Sequence, residues 1–172
     1  MPRKDNALAW YEYALATGDD SVGKFMMNWI AFNWIYCKYS GGTDRRQIEN
    51  LCIERQDELE RYSPFDDEDA IKVFKEKPVL DGRGGNHRRE RPVCPSQMDP
   101  WQLHDGLCSG DDLEKIQCLL LTIYQVRCNL FHGSKEPHDE RDQNLVRSSA
   151  TIMQGYMEAL LHIDSSSHQT VR

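Results

Sequence analysis

Leu113, Ile116, Leu120 and Ile123 recur at alternating steps of three and four, and the next two positions on that stripe are Arg127 and Leu130. This spacing stacks side chains on one face of an α-helix, and a face that long must be covered by other helices. The stripe therefore points to a packed helical domain. It also places a cation where an apolar side chain belongs. A guanidinium cannot shed its proton, and burying one unpaired costs far more than burying an amide. Arg127 thus calls for a partner: a carboxylate, a neighbouring subunit or a bound anion.

His132 follows five residues after Arg127. On an uninterrupted helix it would lie roughly 140° around the axis from the arginine. Gly133 changes that expectation, because glycine just past a helix end takes the left-handed conformation that stops the helix. With the stop there, His132 occupies a frayed last residue and can swing back toward Arg127. The partial negative charge at a helix C-terminus favours cations at that corner.

The rest of the chain reads as helices as well. Leu8, Tyr11 and Leu15 give a helix over about 5–16. Ser21 is the expected N-cap of a long apolar helix through Phe25, Trp29, Phe32 and Tyr36, which ends at Gly41-Gly42. The stripe Val22, Met26, Trp29, Asn33, Tyr36 carries one amide, and a buried Asn33 would need a polar partner, such as the Arg127 region. A third helix is expected from Thr43 to Tyr62 with Ile48, Leu51, Cys52 and Leu59 inward, stopped by Ser63-Pro64. A short helix over 67–75 precedes an irregular stretch, about 78–110, expected to be a flexible insertion. Asp111 with Glu114 resembles a capping box for the helix that carries Arg127, and Asp139 caps a last helix. A disordered tail is expected over 165–172. No strand alternation, hairpin signal or internal repeat is present, so the fold class is all-α: an up-and-down bundle of four to five helices in one domain.

Composition narrows the function. The 172 residues carry a formal charge of -7, which excludes a protein that coats nucleic acid through many phosphate contacts. A local cationic site is still allowed, and Arg83, Arg88, Arg89 and Arg91 concentrate in a basic stretch suited to RNA contacts. Mean hydropathy is -0.71, no run approaches the ~20 apolar residues of a membrane span, and Met1-Pro2-Arg3-Lys4 leads into no signal-peptide core. A cytoplasmic protein is expected. Its six cysteines then read as reduced, small apolar side chains. Cys94, His104 and Cys108 lack a C-x-x-C pair and a fourth zinc ligand, so neither a metal nor another cofactor is expected. Gly82-Arg83-Gly84-Gly85 lacks the lysine of a phosphate loop. A nucleophilic Cys128 would need a base and an oxyanion hole, for which the sequence offers no residues.

An arginine beside a histidine is the minimum apparatus for cleaving RNA without metal: the histidine moves the proton of a ribose 2′-OH or of the leaving oxygen, and the arginine holds the phosphate. Arg127-Cys128-Asn129-Leu130-Phe131-His132-Gly133, followed by Lys135 and Arg141-Asp142, resembles the signature of the HEPN superfamily, and Trp29-Ile30-Ala31-Phe32-Asn33-Trp34-Ile35-Tyr36 resembles one of its early helices. The resemblance implies a dimer in which two Arg/His motifs meet in a cleft. It also implies a metal-independent endoribonuclease of toxin or defence type, with RNA as substrate and an antitoxin or regulatory protein as partner. Arg127 and His132 take the catalytic positions, and Asn33, Asn129, Cys128 and Lys135 are accessory. Many active members carry Asn, Asp or His directly after the arginine, where this chain has Cys128. Other members only bind a nucleotide, RNA or a protein through the same cleft. A helical assembly protein whose Arg127 pairs with an acid across the dimer is a third reading.

Overall fold

A computed structural model describes residues 2–80, 100–132 and 138–163. Among them are eight α-helices and no strand: α1 Pro2–Ala16, α2 Ser21–Tyr36, α3 Asp44–Glu54, α4 Gln56–Leu59, α5 Glu68–Glu76, α6 Pro100–Ser109, α7 Asp112–Phe131 and α8 Glu140–Leu161, with a 3-10 turn at Pro64–Asp66. The all-α class is as expected. The helices are more numerous than expected because two segments divide differently.

The expected third helix is broken at Arg55, whose backbone leaves the helical region at φ -121°, ψ 26°. Its guanidinium pairs with Glu58 and donates to the Leu160 carbonyl at 3.2 Å, closing the end of α8. The inward residues Ile48, Leu51, Cys52 and Leu59 are nevertheless all fully buried. The stretch expected to be irregular to about residue 110 contains α6. A proline is tolerated in the first helical turn, and Leu103 and Leu107, one turn apart, are buried. A Cβ at Gly106 would lie within 2.5 Å of the Cys118 sulfur. The missing side chain is what lets α6 lie close on α7.

Local signals explain most helix starts. Asp20, Thr43, Asp67, Asp111 and Asp139 each accept a backbone N–H from the first turn of the helix that follows, the polar-cap arrangement that replaces a missing intrahelical bond. For α2 this moves the cap from the expected Ser21 to Asp20. In α1 the buried face is Ala7, Tyr11 and Ala14, whereas Leu8 is 37% exposed. Tyr11 fixes that rotation, because its hydroxyl donates to Glu158 of α8 at 2.8 Å.

The core is one continuous cluster drawn from all eight helices, α4 contributing Leu59. Trp29 joins α2 to α7: its ring meets Phe25, Phe32 and Tyr36 on its own helix and Tyr124 on α7, with centroids 5.5–6.4 Å apart. Such tilted pairs add to what area burial supplies. At the opposite side Gly155 of α8 lies under the Tyr62 ring, which also packs edge-on against Tyr156 at 5.2 Å. Gly155→Ala should lower stability by about 1–3 kcal/mol, the usual cost of overpacking. Urea denaturation checks this, and an unchanged midpoint would show that Tyr62 moves aside freely.

Candidate functional site

The last turns of α7 carry Arg127, Cys128 and Asn129, and His132 follows at the helix end. Helix α7 ends at Phe131, and His132 forms its C-cap, one residue ahead of Gly133. His132 keeps helical bonding, its N–H donating to the Cys128 carbonyl at 3.0 Å, while its side chain is exposed. The histidine therefore stands at a wet helix end, held by the backbone rather than frayed.

Arg127 is half-buried, and its partner is of a kind the sequence did not suggest. The guanidinium carbon lies 4.4 Å from the centroid of the Phe131 ring, and Nη1 lies 4.0 Å from the Cys128 sulfur. Both neighbours lie on the same helix, and a guanidinium over an aromatic face gains cation–π attraction while its edge stays available. Among the described residues no carboxylate comes within 4.0 Å of it, and its Nε is buried without a hydrogen-bond partner. Phe131 itself is 59% exposed. The result is a cation with unfilled donor capacity, and an exposed imidazole five residues on that the continued helical bonding leaves well around the axis from it.

Two tyrosines back this corner. Burial raises the hydroxyl pKa of Tyr36 on α2; the charge of Asp44 adds to the rise and that of Arg127 opposes it. Burial likewise lifts Tyr124 to about 12, helped by Cys128 and Asp44 and opposed by Arg127. Both hydroxyls thus stay protonated at neutral pH as neutral donors. The Tyr36 hydroxyl is buried without a hydrogen-bond partner among the described residues. Sequence reading placed Tyr36 in the core stripe and looked to Asn33 as the polar group of α2. Asn33 is half-buried, and its side chain makes no hydrogen bond among the described residues; the buried amide is Asn28, 1% exposed. The signal for Tyr36 was its place in the last turn of an apolar helix, where a hydroxyl can reach the bundle end.

Asn129 is buried and doubly engaged. Its Nδ2 donates to the Leu80 carbonyl at 2.7 Å, and its Oδ1 accepts from Gln125 at 2.9 Å. It acts as a clamp between α7 and the segment after α5, two residues from Arg127. Cys128 is buried beside the guanidinium. Lys135 and the basic residues Arg83, Arg88, Arg89 and Arg91 lie outside the described residues, as does Cys94. His104 uses Nε2 to donate to the Lys75 carbonyl at 2.9 Å, which occupies that nitrogen.

Compared with protein-family models, curated proteins and solved structures, the chain finds no match. The site's chemistry therefore rests on its own geometry.

Asn129→Ala should cost about 1–3 kcal/mol, because truncation leaves the Leu80 carbonyl and the Gln125 amide without this partner. Thermal and urea unfolding would register it; a variant as stable as the parent would mean that water replaces the amide and that the clamp carries no weight.

Proposed function

We propose that the chain is a metal-independent endoribonuclease of HEPN type, an up-and-down helical bundle that pairs two copies about a twofold axis so that two Arg127/His132 corners share one RNA-binding cleft. The single observation that carries the reading is the state of Arg127: a partly desolvated guanidinium with no carboxylate within 4.0 Å among the described residues, stacked on Phe131 in the same helix end that His132 caps. A fixed cation of this kind suits the phosphate of RNA, on which negative charge grows as the 2′-oxygen attacks. His132 supplies proton transfer, as the 2′-OH base or as the acid toward the leaving 5′-oxygen. Tyr36 and Tyr124 keep the floor of the site neutral and polar. The nucleophile is the substrate's own hydroxyl, so the step asks for no metal-bound water.

Arg127→Ala and His132→Ala should each reduce cleavage about 10²- to 10⁴-fold, the range typical of a positioned acid or base and of a charge-stabilising donor. Cys128→Ser should have a small effect, since its sulfur only flanks the guanidinium. The two large losses should be far from additive if both groups serve one transition state. Light scattering on each variant keeps folding and pairing apart from chemistry. A folded, dimeric His132→Ala protein that cuts RNA as fast as the parent would replace this reading with a module that binds a nucleotide, RNA or a protein regulator without cutting it.

A further inference from the structure

A groove of about 680 Å³ runs between α5 and α8, away from the aromatic seam of α2 and α7. Its lining is polar, with Val73 as its one aliphatic residue. Lys72 and Lys77 face it from α5 and its C-cap, Arg141 and Arg147 from α8. Among the described residues none of the four has a carboxylate within 4.0 Å, although the chain as a whole is acidic.

Arg141 is the least economical of them. It sits in the first turn of α8, where the positive end of the helix dipole disfavours a cation. Desolvation lowers its pKa, against the opposing pull of Asp142, Glu76 and Asp139. Its Nη2 donates to the Lys77 carbonyl at 2.9 Å, and its Nε is buried with no partner. Three acids also line the groove. Asp69 and Glu140 lie in the first turns of α5 and α8, where the same dipole stabilises a carboxylate. That leaves Glu76 as the acid whose place helix stability does not explain.

The Lys77 end of the groove continues along the chain into the segment that Asn129 ties to α7. Two residues separate Lys77 from Leu80, at most about 10 Å of chain, and the Leu80 carbonyl is held by Asn129 of α7 at 2.7 Å. Four cations that outnumber the three acids of a polar lining, none of them ion-paired within 4.0 Å among the described residues, suit a polyanionic strand. A protein partner would instead meet an apolar centre, and a small apolar ligand a hydrophobic pocket.

We propose that this groove binds the backbone of single-stranded RNA, with Lys72, Lys77, Arg141 and Arg147 meeting successive phosphates on the way to Arg127 and His132. The inference rests on RNA being the substrate. Each lysine or arginine that neutralises a phosphate releases counterions, so it adds to the slope of log affinity against log salt, by about 0.7 per contact for single strands. Lys72 and Arg147 are exposed, so replacing both leaves the core untouched.

The test uses the full chain with His132→Ala to prevent cleavage, a fluorescent single-stranded RNA, and salt from 50 to 200 mM. Adding Lys72→Gln and Arg147→Gln should flatten the slope by about 1.4, so that over this range the parent loses about sevenfold more affinity than the double variant. Lys24→Gln with Lys115→Gln removes the same charge outside the groove and should leave the slope as in the parent. Binding by the parent with an identical slope in the groove variant, or equal flattening by the control pair, would overturn the groove assignment while leaving RNA as the ligand. No RNA binding by the parent would overturn the groove together with the ribonuclease reading.

Discussion

Trp29 is the contact on which the candidate site depends. It is 2% exposed and spans the seam between α2 and α7, where it meets Tyr36 near the end of one helix and Tyr124 on the other. A close-packed aromatic joint of this kind tolerates little relative sliding. It therefore sets the depth at which Arg127, one turn beyond Tyr124, emerges from the core. The guanidinium arrives half-buried, too deep for full hydration and too shallow to have been replaced by an aliphatic side chain without losing its access to the surface.

That position is costly, and the neighbours reduce the cost only partly. Phe131 covers one face of the guanidinium and Cys128 touches an edge. Asp44 contributes to the local field at the two tyrosines, yet it does not pair with the arginine. Partly satisfied polar groups inside a fold are destabilising unless something else completes them. Asn129 has the opposite arrangement: both ends of its amide are engaged, and it ties the end of α7 to Leu80. The contrast between an engaged clamp and an unsaturated cation two residues apart is what gives this helix end the character of a site.

Much of the fold was legible because its helices are marked by local chemistry. Asp67, Asp111 and Asp139 cap the helices they precede, and the inward face of α3 and α4 is the one its spacing gives. What escaped was decided by tertiary contact. Helix α6 fell in the stretch expected to be irregular, because the fit of Gly106 against Cys118 lies across a helix pair. The break at Arg55 follows its reach to Leu160, over a hundred residues away. At the site, Arg127 was marked by its position on an apolar stripe, but Phe131 as its partner and Tyr36 as its neighbour depend on rotamers and helix packing that spacing does not encode. Asn33 was expected to be the buried amide of α2, yet Asn28, five residues earlier, is the one that faces inward, which only the packed helix shows.

The α5–α8 groove extends the same logic to a longer ligand, since its cations also lack carboxylates within 4.0 Å among the described residues. The central claim, however, is chemical: Arg127 and His132 drive attack by a ribose 2′-OH. It is tested most directly by mapping the ends left on a defined RNA incubated with the protein in EDTA, alongside the same RNA carrying one deoxyribose at the mapped cleavage position. The account predicts 2′,3′-cyclic phosphate ends on the first and no cut at that position on the second. Equal cleavage of the deoxyribose substrate, or activity that disappears in EDTA, would contradict it.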